Sequence, residues 1–228
     1  MNKYSVLYSP DIMLAVTITG QLALAMLIES LEEVGAEVVS AYTDGLVILI
    51  NDDGAARASN ELRKWRHLTK MKLDIEFWKG LYAQSVNSYF AVKTDGTTKG
   101  KGLFNTDRPL QVNPAGDIIA KSVVDFVANG VNIEDTIELE PRIESFLFSR
   151  SVKGMGEWNG KTLGKVVRWY YSKSPNAGPI TYLTNGNKVP KSDNCRPLMT
   201  LPDELPKDID YDRYCSEAYD LLTLVGYI

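Results

Sequence analysis

The feature that most constrains this fold is a pair of apolar runs, residues 37–41 and 46–50, on either side of the turn Tyr42-Thr43-Asp44-Gly45. β-branched residues are frequent in both runs, and Asp and Gly are residues that tight turns favour. The pattern predicts a β-hairpin with one carboxylate, that of Asp44, at its tip. Ordinary turn chemistry also accounts for an Asp at this place, so the hairpin alone leaves its role open.

Helical and strand patterns surround this hairpin. Residues 11–34 are mostly apolar, follow Pro10 and stop at Gly35, which predicts a long, mostly buried helix. Residues 54–72 predict an exposed helix with a basic face, and residues 73–104 predict strands that turn at Asp95-Gly96. We therefore expect an α+β fold with an antiparallel sheet and helices on one face of it.

Composition narrows the class of protein. The chain has 228 residues, 44% apolar and 24% charged, with a net charge of −4, which is typical of a soluble globular protein. Cys195 and Cys215 are the only cysteines and lack metal-ligand spacing, so neither a disulfide framework nor a cysteine metal site is indicated. His67, the only histidine, is expected to be a surface residue of a helix. Polar residues interrupt the apolar stretch near the start, so we expect neither a signal peptide nor a membrane segment, and a cytoplasmic location.

The character of the sequence changes after residue 105. A connector rich in Pro, Gly and Asn predicts a boundary near residue 108, and hence domains 1–108 and 109–228. Residues 116–140 have helical spacing, residues 142–154 a strand pattern, and residues 160–173 fit a short helix or a strand. A hairpin around Asn185-Gly186 and a final helix follow. We expect this second region to be mostly helical.

The hairpin and its surroundings resemble the palm of family B DNA polymerases, above all the phage branch. Those enzymes carry a Tyr-x-Asp-Thr-Asp-Ser hairpin, motif C, whose second half is similar to Thr43-Asp44-Gly45-Leu46. The stretch "TITGQLALAMLIESLE" before the hairpin is also similar. The resemblance implies that Asp44 is the metal ligand of the motif. Tyr42 replaces the first Asp of the motif, and Gly45 replaces its Ser.

A second element, "NSYFAVKTDGTTKGKG" at residues 87–102, resembles the polymerase segment that contacts newly made duplex. The resemblance implies DNA contacts by Asn87, which replaces a lysine, and by Tyr89, Lys93, Lys99 and Lys101. Lysines and an aromatic hydroxyl can meet phosphates of any sequence. An ordinary hairpin with solvated lysines is the alternative.

Further candidates lie on both sides of residue 108. Asp74 and Glu76 would alternate onto one strand face, as outer groups near the metals or as merely exposed acids. The second region would be the thumb, which grips duplex DNA. Its candidate DNA-binding cations are Lys161, Lys165, Arg168, Lys173, Lys188, Lys191 and Arg196. Trp169-Tyr170-Tyr171 are expected to pack in the core.

The resemblance implies a polymerase that is incomplete in this sequence, since motif A, motif B and the fingers precede motif C in the family. We therefore expect the C-terminal part of a DNA-directed DNA polymerase, inactive without a partner chain that supplies those parts and an exonuclease. Primer–template DNA, dNTPs and two shared Mg²⁺ ions are the implied ligands, in a bacterial host's cytoplasm if the chain is phage-encoded. A non-catalytic duplex-binding remnant and an unrelated α+β binding protein are the alternatives.

Overall fold

A computed structural model describes residues 9–42, 45–105 and 114–227. The chain divides into two compact units between Ile75 and Glu76. Each unit contains both helices and antiparallel strands, which confirms the predicted α+β class.

The first unit consists of two helices and one hairpin: α1 (Pro10–Glu33), β1 (Glu37–Ala41), β2 (Leu46–Leu49) and α2 (Asp52–Thr69). Pro10 lies in the first turn of α1, where its missing N–H removes no helical hydrogen bond. Gly35 has a φ of +90°, a conformation that glycine adopts without a steric penalty, and it follows the end of α1 as predicted. The two strands pair antiparallel, as the two apolar runs predict.

The core of the first unit lies between α1, β2 and α2. Leu31 of α1 and Trp65 of α2 are buried, and Leu46 and Ile48 of β2 pack against this cluster. The indole Nε1 of Trp65 donates a hydrogen bond of 2.7 Å to the backbone carbonyl of Ala23. This bond ties the two helices together beneath the hairpin.

The prediction that α1 is mostly buried is wrong for its N-terminal half. Ile12, Val16 and Leu22 are 66%, 67% and 65% exposed. The core contacts of α1 begin at Ala23, because the hairpin and α2 pack only against the last turns of this helix. The preceding turns therefore present apolar side chains on the surface of the described residues.

The length and composition of α1 also meet the criterion for a membrane-spanning helix, and α1 is the one helix among the described residues that does. Core helices of soluble proteins and signal sequences meet the same criterion. The fold is compatible with a soluble protein.

The second unit begins with a three-stranded antiparallel sheet and continues with helices and a four-stranded sheet. The first sheet has the order β3-β4-β5 and the second the order β8-β6-β7-β9. The elements are β3 (Trp78–Ser85), β4 (Ser88–Lys93), β5 (Thr98–Lys101), α3 (Asp117–Asn129), α4 (Ile133–Glu138), β6 (Phe148–Trp158), β7 (Lys161–Tyr171), β8 (Thr181–Tyr182), β9 (Cys195–Pro197) and α5 (Tyr211–Leu224).

A single core joins the three-stranded sheet to the elements that follow it. Phe90 of β4, Phe104 and Ile118 of α3 are buried in one cluster, and the ring centroids of Phe90 and Phe104 are 4.9 Å apart. The division between compact units therefore precedes β3, whereas the sequence places a boundary near residue 108, which lies outside the described residues. The palm and thumb assignments stay predictions.

The region after residue 109 contains more sheet than predicted. Residues 160–173, for which the sequence allows a helix or a strand, form β7, which pairs with β6 in a long hairpin. Consecutive β-branched and aromatic residues favour this strand. Trp169, Tyr170 and Tyr171 are buried, which confirms that these aromatics belong to the core. The rings of Trp169 and Phe148 stack across the two strands with centroids 5.9 Å apart.

Candidate functional site

The hairpin β1–β2 closes as its sequence predicts. The backbone N–H of Tyr42 donates a 2.8 Å hydrogen bond to the carbonyl of Gly45, and Ala41 pairs with Leu46 in the adjoining ladder. Thr43 and Asp44, which separate these residues in the sequence, lie outside the described residues, so their roles stay predictions.

The hairpin is held from one side only. Leu46 and Ile48 face the core formed by α1 and α2, while Val39 and Leu49 are exposed. A two-stranded hairpin is marginal by itself, so packing of β2 on the helices stabilises it. The exposed apolar side chains leave the opposite surface of the hairpin uncovered among the described residues.

Gly45 has no packing partner that would explain a glycine. A Cβ atom built at this position has no heavy atom within 4 Å among the described residues. The described surroundings of Gly45 therefore leave room for a larger side chain.

The sequence has one carboxylate, that of Asp44, between β1 and β2. A carboxylate on a short turn between paired strands offers oxygen ligands of the kind that Mg²⁺ prefers. Among the described residues, no three His, Cys, Asp or Glu side chains come together in a metal-binding arrangement. The role of Asp44 as a metal ligand stays a prediction.

The three-stranded sheet brings most of the predicted duplex-contacting residues together. On β4, Phe90 is buried in the core, and Tyr89 and Lys93 alternate with it onto the opposite face. Lys101 of β5 pairs with Tyr89, and Lys99 pairs two positions further along. The Nζ atom of Lys101 lies 5.9 Å from the centroid of the Tyr89 ring, within reach of a cation–π contact.

Trp78 completes this surface, which we call the basic sheet face and define as Trp78, Tyr89, Lys93, Lys99 and Lys101. Trp78 pairs with Lys93 across β3 and β4, and its ring centroid lies 6.4 Å from that of Tyr89. The sequence analysis missed Trp78. Trp78 lies opposite Lys93 because of the register of β3 and β4. Aligning the two strands from their connecting turn would have revealed this pairing.

Gly100 and Gly102, which alternate with Lys99 and Lys101, lie where the backbone leaves no space for a side chain. A Cβ on Gly100 would lie 1.9 Å from the carbonyl oxygen of Phe104, and one on Gly102 would lie 2.2 Å from that of Asn87. The alternation of lysine and glycine thus lets the chain fold back tightly after β5. Asn87 itself lies in the tight turn between β3 and β4, outside the basic sheet face.

Glu76 lies against the lysines of the basic sheet face. Its carboxylate accepts hydrogen bonds from Lys99 Nζ at 2.9 Å and from Trp78 Nε1 at 3.3 Å, and Lys93 Nζ is 4.0 Å away. The hydrogen bond from Lys99 is the main cause that lowers the pKa of Glu76. Glu76 is therefore an ionised partner of two candidate DNA-binding lysines.

The predicted alternation of Asp74 and Glu76 on a strand is wrong, because β3 begins only at Trp78. Trp78 already pairs with Lys93, and the chain beyond Lys93 enters the Asp95-Gly96 turn. Within the described parts of the chain, no partner strand therefore extends alongside residues 74–77. Asp74 is exposed and lies before the sheet.

The candidate cations of the second region fall into two groups. Four form ion pairs: Lys173 with Asp212, Lys188 with Asp193, Lys191 with Glu217 and Arg196 with Asp208. Lys161, Lys165 and Arg168 lie on β7 and take part in none of the ion pairs among the described residues. The three unpaired cations are the better candidates for phosphate contacts.

The neighbouring strand adds two cations that the sequence analysis missed. Arg150 and Lys153 lie on β6, and both are exposed. The β6–β7 hairpin therefore carries five cationic side chains on its two strands. The sequence signal for this basic hairpin is that both strands contain Lys or Arg at intervals. It could be recognised only after residues 160–173 were assigned as a strand.

Comparisons with known proteins leave the family open. No protein-family model matches the chain, and no curated protein matches it in sequence.

Proposed function

We propose that this chain is the C-terminal part of a family B DNA polymerase, with Asp44 as a metal ligand and the basic sheet face as a contact to duplex DNA. The observation that carries the proposal is the closing pair of the hairpin, Tyr42 with Gly45. Thr43 and Asp44 lie between these two residues in the sequence, and the resemblance to motif C gives Asp44 the position of the metal-binding Asp.

The chemistry would be transfer of a nucleotidyl group to a primer 3′-hydroxyl. Two bound Mg²⁺ ions would supply activation of that hydroxyl and charge neutralisation on the triphosphate. In this chain, Asp44 would hold one ligand position at the tip, and the hairpin would orient it from the core of the first unit. The absence of a side chain on Gly45 would leave space beside the carboxylate for the primer end.

The basic sheet face supports the DNA-binding part of the proposal. Lys93, Lys99 and Lys101 present cationic groups next to Tyr89 on one surface, while the acidic residues of this sheet are few. Such a surface meets phosphates regardless of base sequence, as a polymerase requires. The net charge of −4 does not conflict with this role, because DNA phosphates would interact with the local positive charge of the basic sheet face.

The exposed apolar surface of the first unit supports a partner chain. Ile12, Val16 and Leu22 on α1 and Leu49 on β2 are all more than half exposed. Exposed apolar groups of this kind are typical of protein interfaces. We propose that a chain carrying the fingers, the second catalytic Asp and an exonuclease covers this surface in the cytoplasm.

The alternative is a duplex-binding remnant without catalysis. Tyr42 and Gly45, the two departures from motif C, favour it. The two functions differ in whether Asp44 is needed for nucleotide incorporation, because both require the basic sheet face.

A repeated tripeptide offers a matched control for the test. The sequence contains Thr-Asp-Gly twice, at 43–45 and at 94–96. Asp95 of the second copy serves its own turn: its carboxylate accepts hydrogen bonds from the backbone N–H of Thr97 at 2.9 Å and from its hydroxyl at 2.7 Å. An Asp44 with only a turn role would behave like Asp95.

The experiment is Mg²⁺-dependent primer extension by the complex of this chain with the chain encoded beside it. We expect Asp44→Asn to lower the extension rate by at least about 100-fold and Asp95→Asn to leave it unchanged, since removing a metal ligand removes transition-state stabilisation. Duplex affinity should stay intact in both variants. Robust extension by Asp44→Asn would exclude the metal-ligand role, and duplex binding without extension by the wild type would favour the remnant.

A further inference from the structure

The C-terminal end of α2 and the residues after it form a second basic feature, which the proposed polymerase chemistry does not use. A pocket of about 390 Å³ is lined by Arg63, Arg66, His67, Lys70, Met71 and Lys72. We call it the α2 pocket. All six lining residues are exposed, so their polar groups are accessible to a ligand from solvent.

The charge around this pocket is concentrated. Residues 61–72 contain five lysines and arginines and a single acid, Glu61, in a chain whose net charge is −4. Glu61 forms an ion pair with Lys64, which is not among the residues lining the pocket. Arg66, Lys70 and Lys72 take part in none of the ion pairs among the described residues. The pocket therefore combines several cations that no acid of the described chain neutralises.

The backbone at Lys70 is unusual for a lysine. Lys70 follows the last turn of α2 with a φ of +60° and donates its N–H to the carbonyl of Arg66. Glycine is the common residue at this position, because it adopts a left-handed conformation without steric cost. A lysine here accepts backbone strain and places an additional cation at the pocket.

Stabilisation of the helix end does not account for so much charge. Cations near a helix C-terminus interact favourably with a dipole equivalent to about half a negative charge. Arg66 and His67 already lie in the last turn of α2. Lys70 and Lys72 lie beyond it, so the positive charge exceeds what the dipole can offset.

Apolar side chains accompany the cations. Leu68 is 70% exposed and Met71 42% exposed, both beside the basic residues. A nucleic-acid strand offers phosphates to the cations and, when single-stranded, base faces to apolar groups. A duplex hides its base faces by stacking, so this combination fits a single strand better.

We propose that the α2 pocket binds the phosphodiester backbone of a single nucleic-acid strand, with residues other than those of the basic sheet face. The identity of the polyanion as nucleic acid rests on the proposed function. The pocket would hold a strand that is not paired at that point, with Arg66, Lys70 and Lys72 on its phosphates.

The test measures binding of a fluorescent single-stranded oligodeoxythymidine to the full chain by anisotropy, without Mg²⁺, over a range of salt concentrations. We expect Arg66→Gln/Lys70→Gln to weaken binding roughly tenfold at low salt and to reduce the salt slope by about 1.4, since each phosphate contact contributes about 0.7 for single strands. The matched control, Arg57→Gln/Lys207→Gln, removes the same charge from exposed positions outside the pocket and should retain wild-type affinity.

A single variant separates binding from folding. Lys70→Gly removes the cation and places the preferred residue at the left-handed position, so it should weaken oligonucleotide binding without lowering the thermal unfolding midpoint. A merely structural role for Lys70 predicts unchanged binding. Unchanged binding in Lys70→Gly and in the double variant would overturn the proposal.

The remaining outcomes are equally decisive. Equal weakening by the pocket variant and its control would overturn a localised site, and loss of duplex binding alone would overturn the preference for a single strand. Displacement of the oligonucleotide by equimolar ATP would assign a nucleotide site instead. The binding assay contains no Mg²⁺, so its result does not depend on catalysis. Pocket-dependent strand binding together with failed Mg²⁺-dependent primer extension would reject the proposed polymerase function and support the strand-binding pocket.

Discussion

The Nζ atom of Lys99 lies 2.9 Å from Oε2 of Glu76 and 3.1 Å from its other carboxylate oxygen. This ion pair joins the segment before β3 to the edge strand β5. An exposed lysine paired with a carboxylate must leave it to meet a phosphate. Under the proposed function, Glu76 would therefore compete with DNA for Lys99.

Replacement of Glu76 by Gln should tighten duplex binding. The substitution releases Lys99 and removes the negative charge 4.0 Å from Lys93, so we expect an affinity gain of roughly threefold at low salt that fades at high salt. Anisotropy of a labelled duplex measures it. Asp74→Asn is the matched control, since Asp74 is an exposed acid outside the sheet. A loss of primer extension with unchanged affinity would instead assign Glu76 to the neighbourhood of the metals.

Replacement of Lys101 should weaken duplex binding regardless of sequence. Lys101→Gln removes a cation that lies over the Tyr89 ring on the basic sheet face, and the slope of log affinity against log salt should fall by about 0.9 for one lost phosphate contact. Two duplexes of unrelated sequence should be affected equally. Lys207→Gln, at an exposed position outside that face, should leave the slope unchanged. An identical decrease in both variants would contradict a localised duplex contact.

Gly45 should accept a larger side chain without loss of stability, whereas a bulky one should slow primer extension. Because the Cβ position at Gly45 is open among the described residues, Gly45→Val should change the free energy of unfolding by less than about 0.5 kcal/mol. The proposed function predicts that the same variant blocks the primer end and slows extension, whereas Gly45→Ser retains it. Chemical denaturation and primer extension on the same samples test both statements.

A glycine with a crowded Cβ position provides the contrast. Gly100→Ala would place a Cβ 1.9 Å from the carbonyl oxygen of Phe104, so it should destabilise the fold by about 2 kcal/mol or more, the range of overpacked cores. Equal destabilisation by Gly45→Val and Gly100→Ala would show that the turn at Gly45 is packed after all.

Local patterns in the sequence predict the elements that depend on neighbouring residues. The β1–β2 hairpin, the long α1 and the Asp95-Gly96 turn follow from apolar runs, a starting proline and turn residues. Each of these signals acts within a few positions of the chain. The α+β class could be inferred from their order alone.

Features that depend on distant residues could not be predicted in this way. The exposure of Ile12 depends on how far α2 and the hairpin reach along α1, and Trp78 joins Tyr89 only through strand register. The ion pair of Arg196 with Asp208 joins residues whose separation carries no pattern. Charge in a sequence therefore predicts candidate cations, while the fold determines which are already paired.

Glu140 is the most deeply buried carboxylate with two cationic partners among the described residues. Its oxygens accept hydrogen bonds of 2.7 Å from Lys121 of α3 and from Nε of Arg142. Burial alone would raise its pKa, but the hydrogen bonds from Arg142 and Lys121 outweigh burial and lower the pKa from 4.5 to about 2. The carboxylate thus stays ionised inside the second unit.

The stability of the second unit should therefore depend on pH through Glu140. A folded-state pKa below the unfolded value stabilises the protein above pH 4.5, and this contribution of about 3 kcal/mol is lost as the pH falls toward 2. Glu140→Gln should lower the free energy of unfolding by about that amount at pH 7 and by little near pH 2. Urea denaturation at several pH values measures the difference. Glu138→Gln, at an exposed neighbouring position, should keep the wild-type pH dependence, and a Glu140→Gln variant as stable as wild type at pH 7 would contradict the role of the buried pair.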